Sequence, residues 1–336
     1  MGAAAAVAIR SGETMKAIVQ EGYGEGALQL REMAKPDVGD DRILIRVRAA
    51  SVNALDWHTF HGARLMGIIG FVMRSGPSVA IRGVDVAGVV EAVGKDVTRF
   101  RPGDEVCGCG RGTLAEYCTT TEGRIVKKPP QLTFQQAATM GVAPITALQG
   151  LRDRGQLKPG QRVLIYGGGG GVGTFAVQIA KALGAHVTAV TGPRTVELVR
   201  SLGADLVIDY TTEDVARRPE RYDLIFDVAA IRPFRYLRRM LAPHGRIVLA
   251  GGAKGSFIGI LARALTGIIR AKLGSAWLVP FMAAITYDDL SVLKAMVEAG
   301  TLRPAIDREF PLTGGGDAIT YLGTGQARAK VVVNVS

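Results

Sequence analysis

The sequence predicts an α/β protein with a Rossmann domain, built on a doubly wound parallel sheet, and a separate β-rich domain. A glycine-rich turn at residues 167–173 lies between an apolar strand pattern and a helical pattern, and further strands and helices alternate after it. Before this turn, the chain shows short alternating strands separated by Gly, Pro and Asp turns. A β-rich run followed by an alternating run indicates two domains.

Length and composition agree with two compact domains. With 336 residues, the chain is long enough for two domains with a core each. Apolar residues make up 48% of it and aromatic residues 6%, with 44 glycines, which is typical of a globular α/β protein. The formal charge is +11, but the basic residues are scattered rather than clustered with aromatic residues. We therefore expect an anionic cofactor and no nucleic acid.

The first part of the chain predicts the β-rich domain. Residues 1–14 contain a short alanine run without a basic start, so we expect a disordered extension rather than a signal peptide before Met15. The three cysteines, Cys107, Cys109 and Cys118, cannot form a disulfide framework and fit a reducing, cytoplasmic compartment. Alternating apolar and polar residues predict short strands at 15–20, 28–31, 43–49, 84–93 and 105–107.

The glycine-rich turn predicts a dinucleotide site. Residues 163–166 form a short apolar run, and apolar residues recur at helical spacing over 172–183. Glycine allows positive φ angles, lets the backbone approach a pyrophosphate, and leaves the N–H groups of a helix start open to an anion. A second strand at 186–190 completes a βαβ unit, which favours a nucleotide site over a glycine-rich linker. The predicted contacts are Gly167, Gly170, Gly171, Val172 and Gly173.

The end of the second strand favours NADPH over NADH. An Asp or Glu there would bond the ribose 2′-hydroxyl of NADH, but the first acidic residue is Glu197, in the next helix. Arg194, with Thr191 and Thr195, suits a 2′-phosphate, although an Arg is also common on the surface at a helix start. We therefore expect NADPH as the cofactor.

Three runs in the first part carry a family resemblance. They are Ala50-Ser-Val-Asn-Ala-Leu-Asp-Trp-His-Thr-Phe-His-Gly62, Gly83-Val-Asp-Val-Ala-Gly-Val-Val-Glu-Ala-Val-Gly94 and Phe100-Arg-Pro-Gly-Asp-Glu-Val106. In this order they resemble the medium-chain dehydrogenase/reductase superfamily, and within it the zinc-independent quinone oxidoreductase branch. The likeness extends from Met15 to Val335.

The resemblance implies how the domains divide. It implies a GroES-like catalytic domain made of residues 1–137 and 286–336, and a Rossmann domain made of residues 138–285. It also implies that the active site lies in the cleft between them.

The same resemblance shows where this chain departs from zinc alcohol dehydrogenases. A catalytic Cys, a ligand His and a third Cys of those enzymes align with Asn53, Val84 and Val142. Neither valine nor an amide side chain can replace a thiolate or an imidazole at Zn²⁺, so we expect no metal. The structural zinc lobe is missing as well, and the three cysteines of this chain are expected to be small core residues.

Without a metal, hydrogen-bond donors must polarise the substrate carbonyl. The resemblance places Asn53 at the nicotinamide end of the cleft and aligns His58 with the proton-relay His of alcohol dehydrogenases. These two are the predicted catalytic residues, although Asn53 could instead stabilise a turn and His58 could lie on the surface. The predicted substrate pocket contains Asp56, Trp57 and Phe281.

The second half of the chain continues the Rossmann pattern. Residues 134–151 predict the helix that links the domains, and 287–300 predict an amphipathic helix. Residues 304–336 are expected to return to the first domain. Further strands are predicted at 206–208, 224–226 and 246–249.

Two residues and one segment complete the predicted site. The resemblance places Tyr210 near the adenine ribose and Gly251 near the nicotinamide. The apolar segment 256–285 is interrupted too often by Arg and Lys to span a bilayer. It is expected to be a substrate lid, a dimer surface or a membrane-surface helix, in that order of preference.

Together these predictions describe a two-domain reductase. NADPH would reduce a small conjugated acceptor, a quinone or an α,β-unsaturated carbonyl compound, with Asn53 and His58 at the acceptor oxygen. We expect a cytoplasmic homodimer that does not insert stably in membranes. The alternatives are a zinc-free alcohol or carbonyl dehydrogenase, which His58 favours, and a non-catalytic NADPH-binding protein.

Overall fold

The computed structural model describes residues 12–21, 27–61, 80–250 and 278–335. The strands are β1 (Thr14–Gln20), β2 (Leu28–Ala34), β3 (Ile43–Val52), β4 (Ala80–Ile81), β5 (Asp85–Val93), β6 (Glu105–Cys109), β7 (Tyr117–Thr120), β8 (Ile125–Lys127), β9 (Arg162–Tyr166), β10 (His186–Thr191), β11 (Leu206–Asp209), β12 (Tyr222–Asp227), β13 (Leu241–Leu249), β14 (Leu278–Pro280), β15 (Ile306–Pro311) and β16 (Lys330–Asn334). The helices are α1 (Ala54–His61), α2 (Phe134–Ala137), α3 (Val142–Gln149), α4 (Gly171–Ala182), α5 (Val196–Ser201), α6 (Phe234–Arg238), α7 (Tyr287–Glu298) and α8 (Gly315–Thr324). Turns of 3₁₀ helix lie at Glu122–Arg124, Pro193–Thr195, Val215–Arg217 and Leu312–Gly314, and a π-helical turn lies at Gly150–Arg154.

A six-stranded sheet in the order β11-β10-β9-β12-β13-β14 forms the Rossmann part, and its pairings are parallel. Alternate residues of β9 enter two different core clusters: Val163 and Ile165 pack with α4, whereas Leu164 and Tyr166 pack with α6. Because both faces of the sheet are covered, its central strand is an unbroken apolar run, as the sequence indicated. The predicted doubly wound α/β fold is confirmed.

The remaining strands form two further sheets. One has the order β15-β16-β3-β5-β6-β8, with β7 also paired to β3, and the other has the order β2-β1-β4. Near the end of the chain, β16 pairs antiparallel with β3, so that Val331 lies opposite Val52. The predicted return of residues 304–336 to the first part is therefore confirmed, and it brings Lys330 beside the residues that follow β3.

The linking helix is not continuous, in contrast to the single helix predicted over 134–151. Thr133 caps α2 through a capping box with Gln136, and α2 ends at Ala137. The chain starts a new helix, α3, at Val142, whose N–H group donates to Asp85 Oδ1 at 2.8 Å. This bond satisfies one of the free amides of the new helix start.

The apolar segment predicted over 256–285 is described only from residue 278. There it forms β14, the edge strand of the parallel sheet, and Leu278 is buried. This end of the segment is therefore part of the Rossmann sheet, which the sequence did not predict. Residues 251–277, including Gly251, lie outside the described residues. Within the described ranges, no helix combines the length and the apolar character needed to cross a membrane.

Candidate active site

Residues from both parts of the chain line a cavity of about 580 Å³. Its wall is formed by the turn after β9, the end of β10, the start of α1 and the segment before β16. The predicted site residues that line it are Asn53, Trp57, Gly167, Gly170, Gly171, Val172, Gly173, Thr191, Arg194 and Tyr210. The glycine-rich turn and Asn53 thus share one cavity.

The turn after β9 has the backbone that a dinucleotide requires. Gly167 adopts φ +98°, in the left-handed region. A Cβ atom at residue 173 would lie 2.1 Å from the carbonyl oxygen of Gly167, so only glycine lets α4 begin this close to the turn. Gly170, the N-cap of α4, provides no side-chain cap, and the first N–H groups of the helix are left for another acceptor. These residues fit the pyrophosphate of a nicotinamide dinucleotide.

One end of the cavity carries hydroxyl groups and a cation. The hydroxyls of Thr191 and Thr195 hydrogen-bond each other beneath the turn. The Arg194 side chain is exposed, and its Nη2 donates to the carbonyl oxygen of Gln326 at 3.2 Å. Tyr210 is 51% exposed at the same end. A guanidinium has five N–H donors in a planar fork, so Arg194 keeps donors for an anionic group at this edge.

Asn53 also lines the cavity and is 8% exposed. Its backbone N–H donates to Asp56 Oδ2 at 2.8 Å, and its side-chain Oδ1 accepts from Lys330 Nζ at 2.7 Å. Its side-chain Nδ2 is buried and has no hydrogen-bond partner among the described residues. Because an unmet buried donor is costly, this N–H₂ group is suited to an acceptor atom that enters the cavity.

Lys330 and Asp85 form a buried ion pair behind Asn53. The Lys330 side chain is 2% exposed, and its Nζ lies 3.1 Å from Asp85 Oδ2. Asp85 is fully buried and also accepts from Ser51 Oγ and from the Val142 N–H, each at 2.8 Å. Buried charges in proteins are normally paired and hydrogen-bonded, and this pair meets both conditions.

The three residues predicted for the substrate pocket have different positions. Trp57 lines the cavity and packs against α8, where a Cβ atom at Gly323 would lie 1.8 Å from its Nε1. Asp56 is buried beneath the wall and holds the Asn53 backbone instead of lining the cavity. Phe281 packs against the core cluster near Gly150, away from the cavity wall. The assignment of these three residues to a substrate pocket stays a prediction.

The Asp56 carboxyl has an altered acidity. Burial, together with the nearby negative charge of Asp85, raises its pKa from 3.8 to about 6, and the hydrogen bond from the Asn53 backbone and the positive charge of Lys330 oppose this rise. The other predicted catalytic residue, His58, belongs to α1, but its side chain lies outside the described part of the chain.

Comparison with known proteins identifies the family. Residues 39–130 match the alcohol dehydrogenase GroES-like domain, and residues 202–333 match the zinc-binding dehydrogenase domain. The chain is 34% identical to the chloroplastic quinone oxidoreductase QR1 of Triphysaria versicolor, over 96% of this chain and 99% of that one. The chain belongs to the quinone-oxidoreductase-like branch of the medium-chain dehydrogenase/reductase superfamily.

Other relatives agree with this assignment. This medium-chain dehydrogenase/reductase is 34% identical to the NADPH-dependent alkenal/one oxidoreductase, chloroplastic, of Arabidopsis thaliana, over 95% of this chain and 79% of the relative. The solved quinone oxidoreductase of Coxiella burnetii superposes with a TM-score of 0.83 at 29% identity and covers 96% of this chain and all of its own. Membership makes the chain an oxidoreductase that uses a nicotinamide cofactor.

The positions that the resemblance matched to zinc ligands make other contacts in this structure. Asn53 bonds Lys330, and Val142 lies at the start of α3, where its backbone bonds Asp85. No group of three His, Cys, Asp or Glu side chains that could hold a metal ion occurs in the described ranges.

The three cysteines are buried and free, as predicted for core residues. Burial raises the pKa of the Cys107 and Cys118 thiols to about 12, so both stay protonated at neutral pH. The pKa of Cys109 is raised as well, by burial and by the neighbouring Asp85. All three side chains are buried in the apolar core and act there as packing residues.

Sequence reasoning missed Lys330 and Asp85. Lys330 opens the apolar run Val331-Val332-Val333, and Asp85 starts the apolar strand β5. A charged residue at the end of an apolar strand was a usable signal, since such a residue either faces solvent or needs a buried partner. Separated by 245 residues, the two could be recognised as partners only after the strands were paired.

Proposed function

We propose that this protein is a zinc-independent, NADPH-dependent reductase that transfers a hydride to a quinone or an α,β-unsaturated carbonyl compound. The single observation that carries the proposal is the buried, unpartnered Nδ2 of Asn53 in the same cavity as the dinucleotide turn. That group can donate a hydrogen bond to the oxygen of an acceptor placed beside the nicotinamide.

The chemistry of the donor favours conjugated acceptors. Reduction of an isolated ketone concentrates charge on one alkoxide oxygen, which zinc enzymes stabilise with a cation. Asn53 offers only a neutral amide donor, and Val84 and Val142 offer no ligand at all. Hydride addition to a quinone or an enone instead spreads the charge over a conjugated system, for which one hydrogen bond can suffice. Zinc independence is therefore part of the proposal, and it rests on the residues present.

The proposed preference for NADPH over NADH rests on the end of the cavity that carries Arg194. No acidic residue follows β10 before Glu197, whereas Arg194 and the paired hydroxyls of Thr191 and Thr195 lie at this end. A cation beside hydroxyl donors suits the 2′-phosphate that distinguishes NADPH from NADH. The name of the Arabidopsis thaliana relative, an NADPH-dependent alkenal/one oxidoreductase, supports both the cofactor and the acceptor class.

Each part of the site would then have one task. The turn and the start of α4 hold the pyrophosphate, and Arg194 holds the 2′-phosphate. Bound NADPH supplies the hydride. Asn53 Nδ2 donates to the acceptor oxygen, Trp57 forms the wall beside it, and His58 or water gives the final proton. The proposed domain division, residues 1–137 with 286–336 and residues 138–285, puts this chemistry in the interdomain cleft. A homodimer and a cytoplasmic location remain predictions.

Removing the Asn53 amide tests the proposal. We expect Asn53→Ala to lower kcat for an enone by roughly 10²-fold, since that is the usual effect of losing one oxyanion donor. His58→Ala should lower it less, because water can supply the proton. Steady-state kinetics with NADPH would measure both effects.

The matched control is Asn334→Ala, which removes the only other asparagine of the chain. Asn334 lies on β16 and bonds Gln135 and Glu309, outside the cavity wall. It should leave kcat close to the wild-type value. Equal losses in the two asparagine variants, or no loss in Asn53→Ala, would refute the role of Asn53.

A further inference from the structure

We infer that Lys330, paired with Asp85, is a positioning residue that fixes the amide of Asn53 with its donor toward the acceptor. The inference rests on the proposed function, because it says how the proposed donor is oriented. Lys330 bonds Asn53 directly, at 2.7 Å, and lines the same cavity.

The hydrogen bond from Lys330 determines the orientation of the Asn53 amide group. An ammonium group has three N–H donors and no acceptor, so only the oxygen of a carboxamide can face it. With Oδ1 held by Lys330 Nζ, the Asn53 Nδ2 must lie at the opposite edge of the planar amide group. A reversed amide would place its N–H₂ group against the ammonium. The buried, unpartnered Nδ2 is the expected consequence.

The ammonium has no donor left for proton transfer to a substrate. Its three contacts are Asn53 Oδ1 at 2.7 Å, Asp85 Oδ2 at 3.1 Å and the Val52 carbonyl oxygen at 3.4 Å. These match the three donors of a lysine side chain. Lys330 therefore acts through Asn53, and Asp85 neutralises the charge that this arrangement buries.

The backbone holds both partners in place. Asn53 directly follows β3, and β3 pairs with β16 immediately after Lys330, where Val331 lies opposite Val52. The preceding residue, Ala329, donates its N–H to the Gly169 carbonyl oxygen in the dinucleotide turn at 2.8 Å. Lys330 thus lies between the dinucleotide turn and the proposed donor, and short, direct links join the turn to Asn53.

A double substitution separates positioning from folding. Lys330→Met alone would leave Asp85 buried without a counter-ion, which is destabilising for reasons unrelated to Asn53. In Lys330→Met/Asp85→Asn the charges are removed together. The oxygen of the new amide at position 85 can still accept from the Val142 N–H, and its Nδ2 can donate to Ser51 Oγ. We expect this double variant to unfold near the wild-type temperature and to bind NADPH with a nearly unchanged Kd. Its kcat for an enone should fall by roughly 10²-fold, as for other misplaced catalytic groups.

A cycle with Asn53→Ala gives the specific readout. If Lys330 acts only by orienting Asn53, the double substitution should have little further effect on kcat once Asn53 is alanine, since residues that act as a unit are strongly non-additive. Wild-type kcat in Lys330→Met/Asp85→Asn, or full additivity with Asn53→Ala, would overturn the inference.

Nuclear magnetic resonance of the Asn53 side chain tests the inference without turnover. The side-chain N–H₂ signals, assigned by their loss in Asn53→Ala, should shift in the double variant because the ammonium no longer faces Oδ1. Unchanged signals would contradict the positioning role. If the wild-type protein reduces no conjugated acceptor, the proposed function fails. The spectrum would still show whether Lys330 orients the Asn53 amide.

Lys330→Gln/Asp85→Asn covers the case in which the methionine variant does not fold. A glutamine can present either its oxygen or its N–H₂ group, so it no longer dictates how Asn53 faces. We expect shifted Asn53 signals and a kcat reduced by roughly 10-fold. Wild-type signals together with wild-type kcat would refute the inference.

Discussion

In the proposed function, the preference for NADPH over NADH depends on Arg194. A charge-assisted hydrogen bond to the 2′-phosphate contributes roughly 1.5–3 kcal/mol, so Arg194→Ala should weaken NADPH binding by about 10- to 150-fold. NADH binding should hardly change, because NADH lacks that phosphate. Fluorescence titration with each nucleotide would measure both constants.

Arg200→Ala is the matched control for this experiment. Arg200 lies in α5, where it is exposed and pairs with Glu197, and it does not line the cavity. Its substitution should change the affinity for neither NADPH nor NADH. Equal losses of NADPH and NADH affinity in Arg194→Ala would make Arg194 a structural residue and would leave the preference unexplained.

Asp56 should give the protein a measurable pH dependence. Because the folded-state pKa is raised from 3.8 to about 6, the folded protein holds this proton more tightly than the unfolded chain does. The stability that the protonated carboxyl provides is complete below the unfolded pKa and is lost as the pH rises toward the folded one. Asp56→Asn keeps an acceptor for the Asn53 backbone and removes the titration.

The comparison of unfolding free energies tests this prediction. Between pH 3.8 and 6, the unfolding free energy of the wild-type protein should fall by roughly 2–3 kcal/mol relative to the unfolding free energy of Asp56→Asn. Chemical denaturation at a series of pH values gives the two curves. Parallel curves across this window would show that Asp56 titrates normally.

At the scale of single residues, sequence reasoning found Asn53 and the glycines of the turn and missed the residues that hold Asn53 in place. Asn53 could be identified from the family motif, and the glycines could be identified from their spacing in the sequence. Lys330 is 277 residues away from Asn53, and no local pattern links the two. The bond from the Asn53 backbone to Asp56 forms in the first turn of α1, and the sequence alone did not reveal this contact.

Among the secondary structure elements, the end of α3 shows how close packing restricts which residue a position can hold. α3 is followed by the π-helical turn Gly150–Arg154, and Gly150 faces the Phe226 ring of β12. A Cβ atom at residue 150 would lie 2.5 Å from Phe226 Cε2, and Phe226 is fully buried. We expect Gly150→Ala to destabilise the protein by about 1–3 kcal/mol through overpacking, despite the higher helix propensity of alanine.

Thermal unfolding of Gly150→Ala beside Gly123→Ala measures this effect. Gly123 lies in the 3₁₀ turn Glu122–Arg124, and a Cβ atom there would meet nothing within 4 Å. Its substitution should leave the Tm nearly unchanged, whereas that of Gly150→Ala should be lower. Equal Tm values for the two variants would mean that the Phe226 ring moves aside at little cost.

The same region shows why element boundaries escaped the sequence. A helical pattern over 134–151 does not reveal that Asp85, from β5, bonds the Val142 amide and starts a second helix there. The edge strand β14 was hidden in a long apolar segment that has no strand periodicity of its own. Tertiary partners decide both features, and local periodicity carries no information about them.

Over the whole molecule, the fold was largely predictable, because the alternation of strands and helices and the family motifs both indicate it. The antiparallel pairing of β3 with β16 joins distant parts of the chain, and this pairing assembles the cavity. Its wall combines a nucleotide-binding turn with a neutral amide donor backed by a buried ion pair. A reductase built in this way should favour acceptors that delocalise the charge of the added hydride.

The most direct measurement compares NADPH oxidation by the purified protein with an enone, a quinone and the matching saturated ketone. We expect faster turnover of the enone or the quinone than of the saturated ketone, and little oxidation of simple alcohols with NADP⁺, because Asn53 cannot replace a metal cation at an alkoxide. Comparable rates on the saturated ketone, or efficient alcohol oxidation that depends on His58, would contradict the proposed function and favour an alcohol or carbonyl dehydrogenase.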